Sequence, residues 1–228
     1  MITVLMATYQ GRQYLEQQLD TILAQTVPVK ILISDDGSDD GTREMLDNYA
    51  GWYPEQVVLH HRTEHTGGAA GNFFWLMQEA LKDEKNEYIL FSDQDDVWLP
   101  EKIALQVEEA AKHPQEVPLL VYTDLKGVDE KLNVQHESMI RTQSYHANTE
   151  LIQELTENTV TGGVAMINHA LADLWTGQEK HALLMHDWYL ALLATAFGKL
   201  IYIDQPTELY RQHSSNVLGA RTLRKRVK

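Results

Sequence analysis

The alternation of short apolar runs with helical patterns over the first 112 residues is the feature that most constrains the fold. Runs rich in β-branched and large apolar residues predict buried strands, whereas apolar residues spaced three and four apart predict amphipathic helices. Because strands separated by helices favour parallel pairing, we expect an α/β fold with a mostly parallel central sheet flanked by helices. The predicted strands are 2–6, 30–34, 57–60 and 88–91, and the predicted helices are 15–25, 42–53, 70–81 and 100–112.

The second half of the chain is less regular. Strands are predicted at 119–122, 164–167 and 200–203, and a strongly apolar helix is predicted at 187–197. The segment 126–149 is polar and has no clear period. We therefore expect it to be a loop that is mobile or faces the substrate.

No internal repeat or linker-like tract divides the chain, so we expect a single domain over residues 1–220. The remaining segment, 221–228, carries five basic side chains. It is either a solvated tail or the start of a further C-terminal segment, and it offers a peripheral contact with anionic lipid at the inner face of the plasma membrane. No apolar run approaches the ~20 residues that span a bilayer.

The charge balance excludes several partners. The 228 residues include 33 Asp and Glu against 19 Lys and Arg, which gives a net charge of −14. We expect no nucleic acid partner because its phosphates would be repelled, although a metal ion can neutralise the phosphates of a small nucleotide. The absence of cysteine excludes disulfides and thiolate chemistry and is typical of a cytoplasmic protein.

An acidic segment, Ser-Asp-Gln-Asp-Asp at 92–96, directly follows the fourth predicted strand. Its three carboxylates would repel one another without a partner, and their hard oxygens suit Mg²⁺ or Mn²⁺. Ligands of open α/β sheets also bind outside the carboxyl ends of the strands. The alternative is a solvated acidic turn in which Asp95 or Asp96 caps the helix that begins near Pro100.

A second acidic segment, Asp-Asp-Gly-Ser-Asp-Asp-Gly at 35–41, follows the second predicted strand. Its first two carboxylates, Asp35 and Asp36, are candidates to accept a hydrogen bond from a nucleobase N–H. The later pair, Asp39 and Asp40, is expected mainly to cap the next helix.

The motifs at the strand ends belong to a series that extends over nearly the whole chain. In order, they are Ala7-Thr8-Tyr9, Asp35-Asp36-Gly37-Ser38, Ser92-Asp93-Gln94-Asp95-Asp96-Val97-Trp98, Thr161-Gly162-Gly163, His186-Asp187-Trp188 and Tyr210-Arg211-Gln212-His213. With this series the chain resembles family 2 glycosyltransferases of the GT-A fold, which is a Rossmann-like α/β architecture. The ordered series is a stronger signal than any single acidic pair.

The resemblance implies a site for a nucleotide-sugar donor. Asp36, and with it Asp35, would contact the nucleobase and ribose. Thr8 and Tyr9 would lie beside them, with the Tyr9 ring placed to stack on the base. Asp93 would lie near the ribose.

The resemblance also implies a divalent metal ion at the donor diphosphate. Asp95 would bind Mg²⁺ or Mn²⁺, and His213 would reach the metal or the diphosphate, with Arg211 as a phosphate partner. The metal would stabilise the departing nucleoside diphosphate. Asp96 matches no family role, so for it we expect a helix cap.

Asp187 matches the catalytic base of the family. In inverting transfer this carboxylate takes a proton from the acceptor hydroxyl as it attacks the anomeric carbon. The alternative is that Asp187 is only the N-cap of the apolar helix that it opens. The chain departs from many relatives in carrying His186 where they have Glu. Gly162 and Gly163 would let the backbone pass close to the sugar.

The residues within these motifs are most similar to those of bacterial rhamnosyltransferases of cell-wall and capsular polysaccharide synthesis. This similarity implies dTDP-rhamnose, or else a UDP-sugar, as the donor and an oligosaccharide or lipid-linked glycan as the acceptor. One alternative is a catalytically silent nucleotide-sugar or glycan-binding module. Another is a sugar-phosphate nucleotidyltransferase, which would need a glycine-rich basic loop after the first strand, and Gly11-Arg12 is a poor match to that.

Overall fold

The computed structural model describes residues 1–62, 66–144, 146–177 and 185–213. Within these ranges the chain forms nine strands, eight α-helices and one 3₁₀ turn at Gly162–Val164. The strands are β1 (Ile2–Thr8), β2 (Lys30–Asp35), β3 (Val57–His61), β4 (Tyr88–Ser92), β5 (Val97–Trp98), β6 (Leu119–Val128), β7 (Val134–His136), β8 (Ala165–Asn168) and β9 (Lys199–Arg211). The helices are α1 (Leu15–Leu23), α2 (Thr42–Trp52), α3 (Ala69–Ala80), α4 (Lys102–Ala110), α5 (Met139–Gln143), α6 (Leu151–Glu154), α7 (His169–Thr176) and α8 (His186–Phe197).

The strands form one sheet in the order β3-β2-β1-β4-β8-β6-β9-β5, with β7 paired to β6. The first four strands pair in parallel, as do β6 and β9. Strand β8 runs antiparallel to both of its neighbours, and β5 runs antiparallel to β9. The expected α/β class is confirmed, with parallel pairing complete in the N-terminal half and mixed in the rest.

Helices cover both faces of the sheet because successive strand residues point to opposite faces. On one face Leu5, Ile89 and Phe91 pack in a cluster with residues of α3, α7 and α8. On the other face Val4 and Leu90 pack with residues of α1, α2 and α4. The sheet is thus buried between two apolar layers, and the ends of its strands are left as the places where polar chemistry can gather.

The predicted strands of the first half are confirmed, and several extend further toward their carboxyl ends. Strand β1 reaches Thr8, β2 reaches Asp35 and β4 reaches Ser92. In the parallel register Thr8 lies opposite Asp35. The candidate donor residues therefore stand at the same edge of the sheet.

The expectation of a featureless loop over 126–149 is wrong, because that segment contains the end of β6, β7 and α5. Strand β9 also continues to Arg211 rather than ending at 203, since its pairing with β6 resumes after register shifts near Asp124. The bulged pairing hides the alternation that would have revealed these strands in the sequence.

The expectation that Asp39 or Asp40 caps α2 is wrong, because Gly41 occupies the N-cap position and no side chain makes the cap bond. Asp40 instead holds the first residue of the helix from one position earlier. Asp40 Oδ1 accepts hydrogen bonds from the backbone N–H of Thr42 at 3.0 Å and from its hydroxyl at 2.6 Å. The expectation that Asp95 or Asp96 caps the helix near Pro100 is wrong, because α4 begins at Lys102 and Glu101 occupies its N-cap position.

The basic segment 221–228 and the proposed domain boundary at 220 lie outside the described residues. Among the described residues, none of the helices has the length and apolar character needed to cross a bilayer.

Asn168 joins the end of β8 to its surroundings through four hydrogen bonds. Its side-chain oxygen accepts from the backbone N–H groups of Leu119 and Leu171, and so caps α7. Its amide nitrogen donates to the backbone oxygens of Gln115 and Val117. The side chain is buried, so no water replaces a partner that is removed.

We expect Asn168→Ala to lower the free energy of unfolding by about 3 kcal/mol, because it removes a cap and leaves buried backbone groups unpaired. Chemical denaturation measures the change. The control is Asp173→Ala on the exposed face of α7, which should stay within about 0.5 kcal/mol of wild type. A loss of the same size in both variants would contradict this role for Asn168.

Candidate functional site

Asp35 organises the loop that follows β2. Its buried carboxylate accepts hydrogen bonds from the hydroxyls of Thr8 at 3.0 Å and Ser38 at 2.6 Å, and it forms an ion pair with Arg43 at 2.7 Å. Burial raises the pKa of Asp35, but the bonds from Ser38, Arg43 and Thr8 outweigh burial and hold it below the usual value. Asp35 and Thr8 therefore shape the loop, and direct contact of either with a donor stays a prediction.

Asp36 follows Asp35 in the chain and bonds to a different segment. Its carboxylate accepts hydrogen bonds from the backbone N–H of Thr66 at 2.8 Å and from the Thr66 hydroxyl at 3.0 Å. These bonds tie the end of β2 to the segment that leads into α3. The structure thus places Asp36 at the edge where the resemblance puts the nucleobase.

Tyr9 presents an exposed ring at this edge, with 54% of its surface accessible. Its backbone is held by the Gln94 side chain, which accepts from the Tyr9 N–H at 2.8 Å and donates to the Tyr9 oxygen at 2.8 Å. A Cβ atom at Gly11 would lie 2.3 Å from Gln94 Oε1, so only glycine allows this approach. The middle residue of the acidic segment therefore fixes the backbone that carries the candidate stacking ring.

The three carboxylates of the segment 92–96 have different surroundings. Asp95 Oδ2 lies 2.7 Å from His213 Nε2. Asp96 is buried and accepts a hydrogen bond from the backbone N–H of Arg211 at 2.8 Å, so it anchors the end of β9 instead of capping a helix. Burial, with the charges of Asp95, Glu208 and Asp187, raises the pKa of Asp93 to about 7. Asp93 thus shares one electrostatic environment with the candidate base.

Arg211 is 2% exposed and its guanidinium is held within the protein. It donates to the backbone oxygens of Asp95 at 2.8 Å and Glu130 at 2.7 Å and to the Gln17 side chain at 2.6 Å, and it lies over the Tyr14 ring. These contacts hold the acidic segment against β9. A direct bond from Arg211 to a donor phosphate stays a prediction.

Asp95 and His213 are the side chains best suited to a divalent cation. The Asp95 carboxylate oxygens suit Mn²⁺ or Mg²⁺, the His213 nitrogen is a less usual ligand for Mg²⁺, and the surplus of carboxylates around Asp93 favours a cation. In the part of the chain that the structure describes, no three His, Asp or Glu side chains are grouped closely enough to hold a metal ion. Asp95 and His213 alone would leave the remaining ligands of a metal ion to the donor or to water, so a metal ion here stays a prediction.

Asp187 is the second residue of α8, whose N-cap is Met185, so it does not occupy the N-cap position. Burial raises its pKa to about 6, although hydrogen bonds from the backbone of Trp188 and Gly162 and from the Asn158 side chain oppose the shift. A half-buried carboxylate with a pKa near neutrality can take up a proton during a reaction. The position suits a general base.

Two further titratable side chains lie beside Asp187. His186 is buried against Phe73 and Phe91, with ring centroids 4.4 and 4.9 Å away, and burial lowers its pKa to about 3. His186 is therefore a neutral core residue. Burial, with the charge of Asp187, raises the pKa of Glu154 to about 7, so the base has a carboxyl neighbour from α6.

The sequence patterns did not single out Glu154, Lys102 or Glu208. Glu154 lies in a short helix with a capping box formed by Glu150 and Gln153, which was the one available signal for α6. Lys102 and Glu208 form a wholly buried ion pair at 2.5 Å. They are 106 residues apart, so only the folded chain brings them together.

Comparison with known proteins agrees with this geometry. Residues 3–175 match the family described as Glycosyl transferase family 2. The dTDP-rhamnosyl transferase RfbG of Shigella flexneri is 31% identical over 94% of this chain and 74% of its own length. The putative teichuronic acid biosynthesis glycosyltransferase TuaG of Bacillus subtilis is 30% identical over 47% of this chain and 41% of its own.

Two solved structures share the fold. S. aureus TarS 1-349 in complex with UDP-GlcNAc has a TM-score of 0.69 and 17% identity, covering 94% of this chain and 59% of that one. The mannosyltransferase PcManGT from Pyrobaculum calidifontis, in complex with GDP-Man and Mn²⁺, has a TM-score of 0.66 and 18% identity, covering 94% and 58%. The chain thus spans less than two thirds of these solved chains and has the expected GT-A fold. With the family match over residues 3–175 and the likeness to RfbG over 94% of its length, the chain belongs to glycosyl transferase family 2.

Proposed function

We propose that the chain is an inverting, metal-dependent glycosyltransferase that moves rhamnose from dTDP-rhamnose to a hydroxyl of a carbohydrate acceptor. One observation carries the proposal: residues 3–175 match glycosyl transferase family 2, and the chain is 31% identical to RfbG over 94% of its length. In the structure the turn that enters β8 lies where β4 ends and contacts the start of α8, so the candidate base and the acidic segment lie at the same edge of the sheet. A base beside the donor site is what transfer between two bound sugars requires.

Asp187 supplies the proton acceptor of the reaction. The acceptor hydroxyl oxygen attacks the anomeric carbon, the bond from that carbon to the diphosphate oxygen breaks, and the hydroxyl proton passes to Asp187. The electron pair of the broken bond leaves with the nucleoside diphosphate. A single displacement of this kind inverts the anomeric centre.

Asp95 and His213 would hold the divalent ion, which neutralises charge on the departing diphosphate when it is bound. Asp36 and Asp35 would receive the nucleobase and ribose, with the exposed Tyr9 ring stacked on the base and Thr8 supporting Asp35. Asp93 would hold the ribose. Arg211 would orient the acidic segment and, where the donor reaches it, a phosphate.

The donor assignment follows from the relatives. RfbG is named as a dTDP-rhamnosyl transferase and aligns over 94% of this chain, which supports dTDP-rhamnose. TarS and PcManGT are fold relatives solved with UDP-GlcNAc and with GDP-Man and Mn²⁺, which supports a nucleotide-sugar site and a divalent ion.

The acceptor would be an oligosaccharide or a lipid-linked glycan of cell-surface polysaccharide synthesis. This is in keeping with the name of TuaG, a putative teichuronic acid biosynthesis glycosyltransferase. A lipid-linked acceptor would place the protein in the cytoplasm, with the basic segment 221–228 in peripheral contact with the membrane.

Asp187→Asn should lower kcat by about 10²–10⁴-fold, because the amide cannot accept the proton. Release of dTDP from dTDP-rhamnose, with water or a glycan as acceptor, measures kcat. Affinity for dTDP with Mn²⁺ should stay within about threefold of wild type, since the base does not hold the nucleotide.

Asp173→Asn, on the exposed face of α7, is the control and should keep wild-type kcat. Turnover by Asp187→Asn at the control's rate would contradict the assignment of the base. A wild-type chain that binds dTDP-rhamnose and never turns it over would instead identify a silent binding module.

The pH dependence of kcat should reflect the ionisation of Asp187. Burial raises its pKa from 3.8 to about 6, and the base works only when ionised. The rate should therefore fall about tenfold per pH unit below roughly pH 6. The measurement is turnover between pH 4.5 and 8 at constant ionic strength, with circular dichroism to confirm that the protein stays folded. A rate that stays level down to pH 4.5 would contradict the role of Asp187 as the base.

A further inference from the structure

Lys102 and Glu208 form an ion pair in the interior next to the acidic segment. Both side chains are wholly buried, and Lys102 Nζ lies 2.5 Å from Glu208 Oε2. The ammonium also lies 3.8 Å from the centre of the Trp98 ring. The pair thus joins the first turn of α4 to strands β5 and β9.

The same ammonium holds the 3₁₀ turn Gly162–Val164. Lys102 Nζ donates a hydrogen bond to the backbone oxygen of Gly163. A Cβ atom at Gly163 would lie 2.6 Å from Glu208 Oε1, so only glycine lets the turn approach the pair. The preceding residue of the turn, Gly162, packs against His186, the neighbour of Asp187 at the start of α8, and a Cβ atom at Gly162 would lie 2.7 Å from His186 Nε2. The Gly162 backbone also lowers the pKa of Asp187 against the effect of burial.

The charges of the pair also influence the carboxyl groups of the acidic segment. The Glu208 carboxylate acts on Asp93 and Asp96, and the Lys102 ammonium acts on Asp93. Burying two opposite charges costs desolvation free energy, which their mutual attraction offsets only in part. A protein in which apolar residues of similar volume replace such a pair is often equally stable. Stability alone therefore gives little reason for an ion pair at this position.

We propose that Lys102 and Glu208 are positioning residues that set the distance between the donor site and the catalytic base. The ion pair holds the Gly162–Val164 turn on one side through Gly163, and on the other side the turn packs through Gly162 against the start of α8, which carries Asp187. The inference rests on the proposed function, because it concerns the geometry of that reaction.

The test replaces the pair with apolar residues in Lys102→Met/Glu208→Met. The donor is whichever of dTDP-rhamnose, UDP-glucose, UDP-GlcNAc and GDP-mannose the wild type hydrolyses fastest. Its nucleoside diphosphate, with Mn²⁺, is the binding probe. We expect a melting temperature near wild type, a nucleotide Kd within threefold and a kcat at least tenfold lower.

The matched control is Glu79→Met/Lys82→Met, which removes an ion pair of 2.6 Å at the surface end of α3 and should leave kcat and Kd unchanged. If the buried double variant does not fold, Glu208→Gln replaces it, because glutamine keeps the shape of the side chain. The same limits on melting temperature, nucleotide Kd and kcat then apply.

A folded variant with kcat within twofold of wild type would overturn the inference. A loss of nucleotide affinity larger than tenfold would also overturn it, because the pair would then serve the donor site itself. Failure of the proposed function is a separate result, in which the wild type neither binds nor hydrolyses any of the four donors.

Discussion

Four carboxyl groups, those of Asp93, Asp95, Asp96 and Glu208, lie close together at the carboxyl edge of the sheet, and one buried ammonium, Lys102, pairs with them. Burial and mutual repulsion raise the pKa of Asp93 to about 7 and raise that of Asp96 as well. Burying such a group of acids is tolerated where partners offset the loss of hydration, and three of the four have a defined partner. Asp96 takes the Arg211 backbone, Glu208 takes Lys102, and Asp95 takes His213. The negative charge that these partners leave unneutralised would attract a cation, as the proposed diphosphate site requires.

The change of strand direction in the second half of the sheet brings the base to this edge. Strand β8 runs antiparallel between β4 and β6, so the turn that enters it, Gly162–Val164, arrives where β4 ends. Strand β9 then returns parallel to β6 and carries Glu208 and Arg211 to the same place. The parallel half thus carries the candidate donor residues, and the mixed half and α8 carry the candidate base and the groups that we propose position it.

Much of the donor edge could be predicted from sequence because it depends on local patterns. Short apolar runs followed by acidic residues identify strand ends, and parallel pairing then places Thr8 opposite Asp35 without further information. The partners of those residues could not be predicted. Lys102 stands in the first turn of a helix and reads as an exposed residue, yet its partner Glu208 is 106 positions away. Likewise, the role of Asp96 depends on Arg211, which lies at the end of β9. The register shifts in the pairing of β9 with β6 make the length of β9 hard to predict from the sequence.

The central claim, that this edge holds a nucleotide sugar through a divalent ion, is tested most directly by calorimetric titration of the chain with dTDP-rhamnose, UDP-glucose and UDP-GlcNAc, with Mn²⁺ and after chelation. If the claim is right, dTDP-rhamnose binds saturably and its binding is lost on chelation. Selective binding of a UDP-sugar would keep the site and replace the donor. Absence of binding to all three by folded protein with Mn²⁺ would contradict the claim.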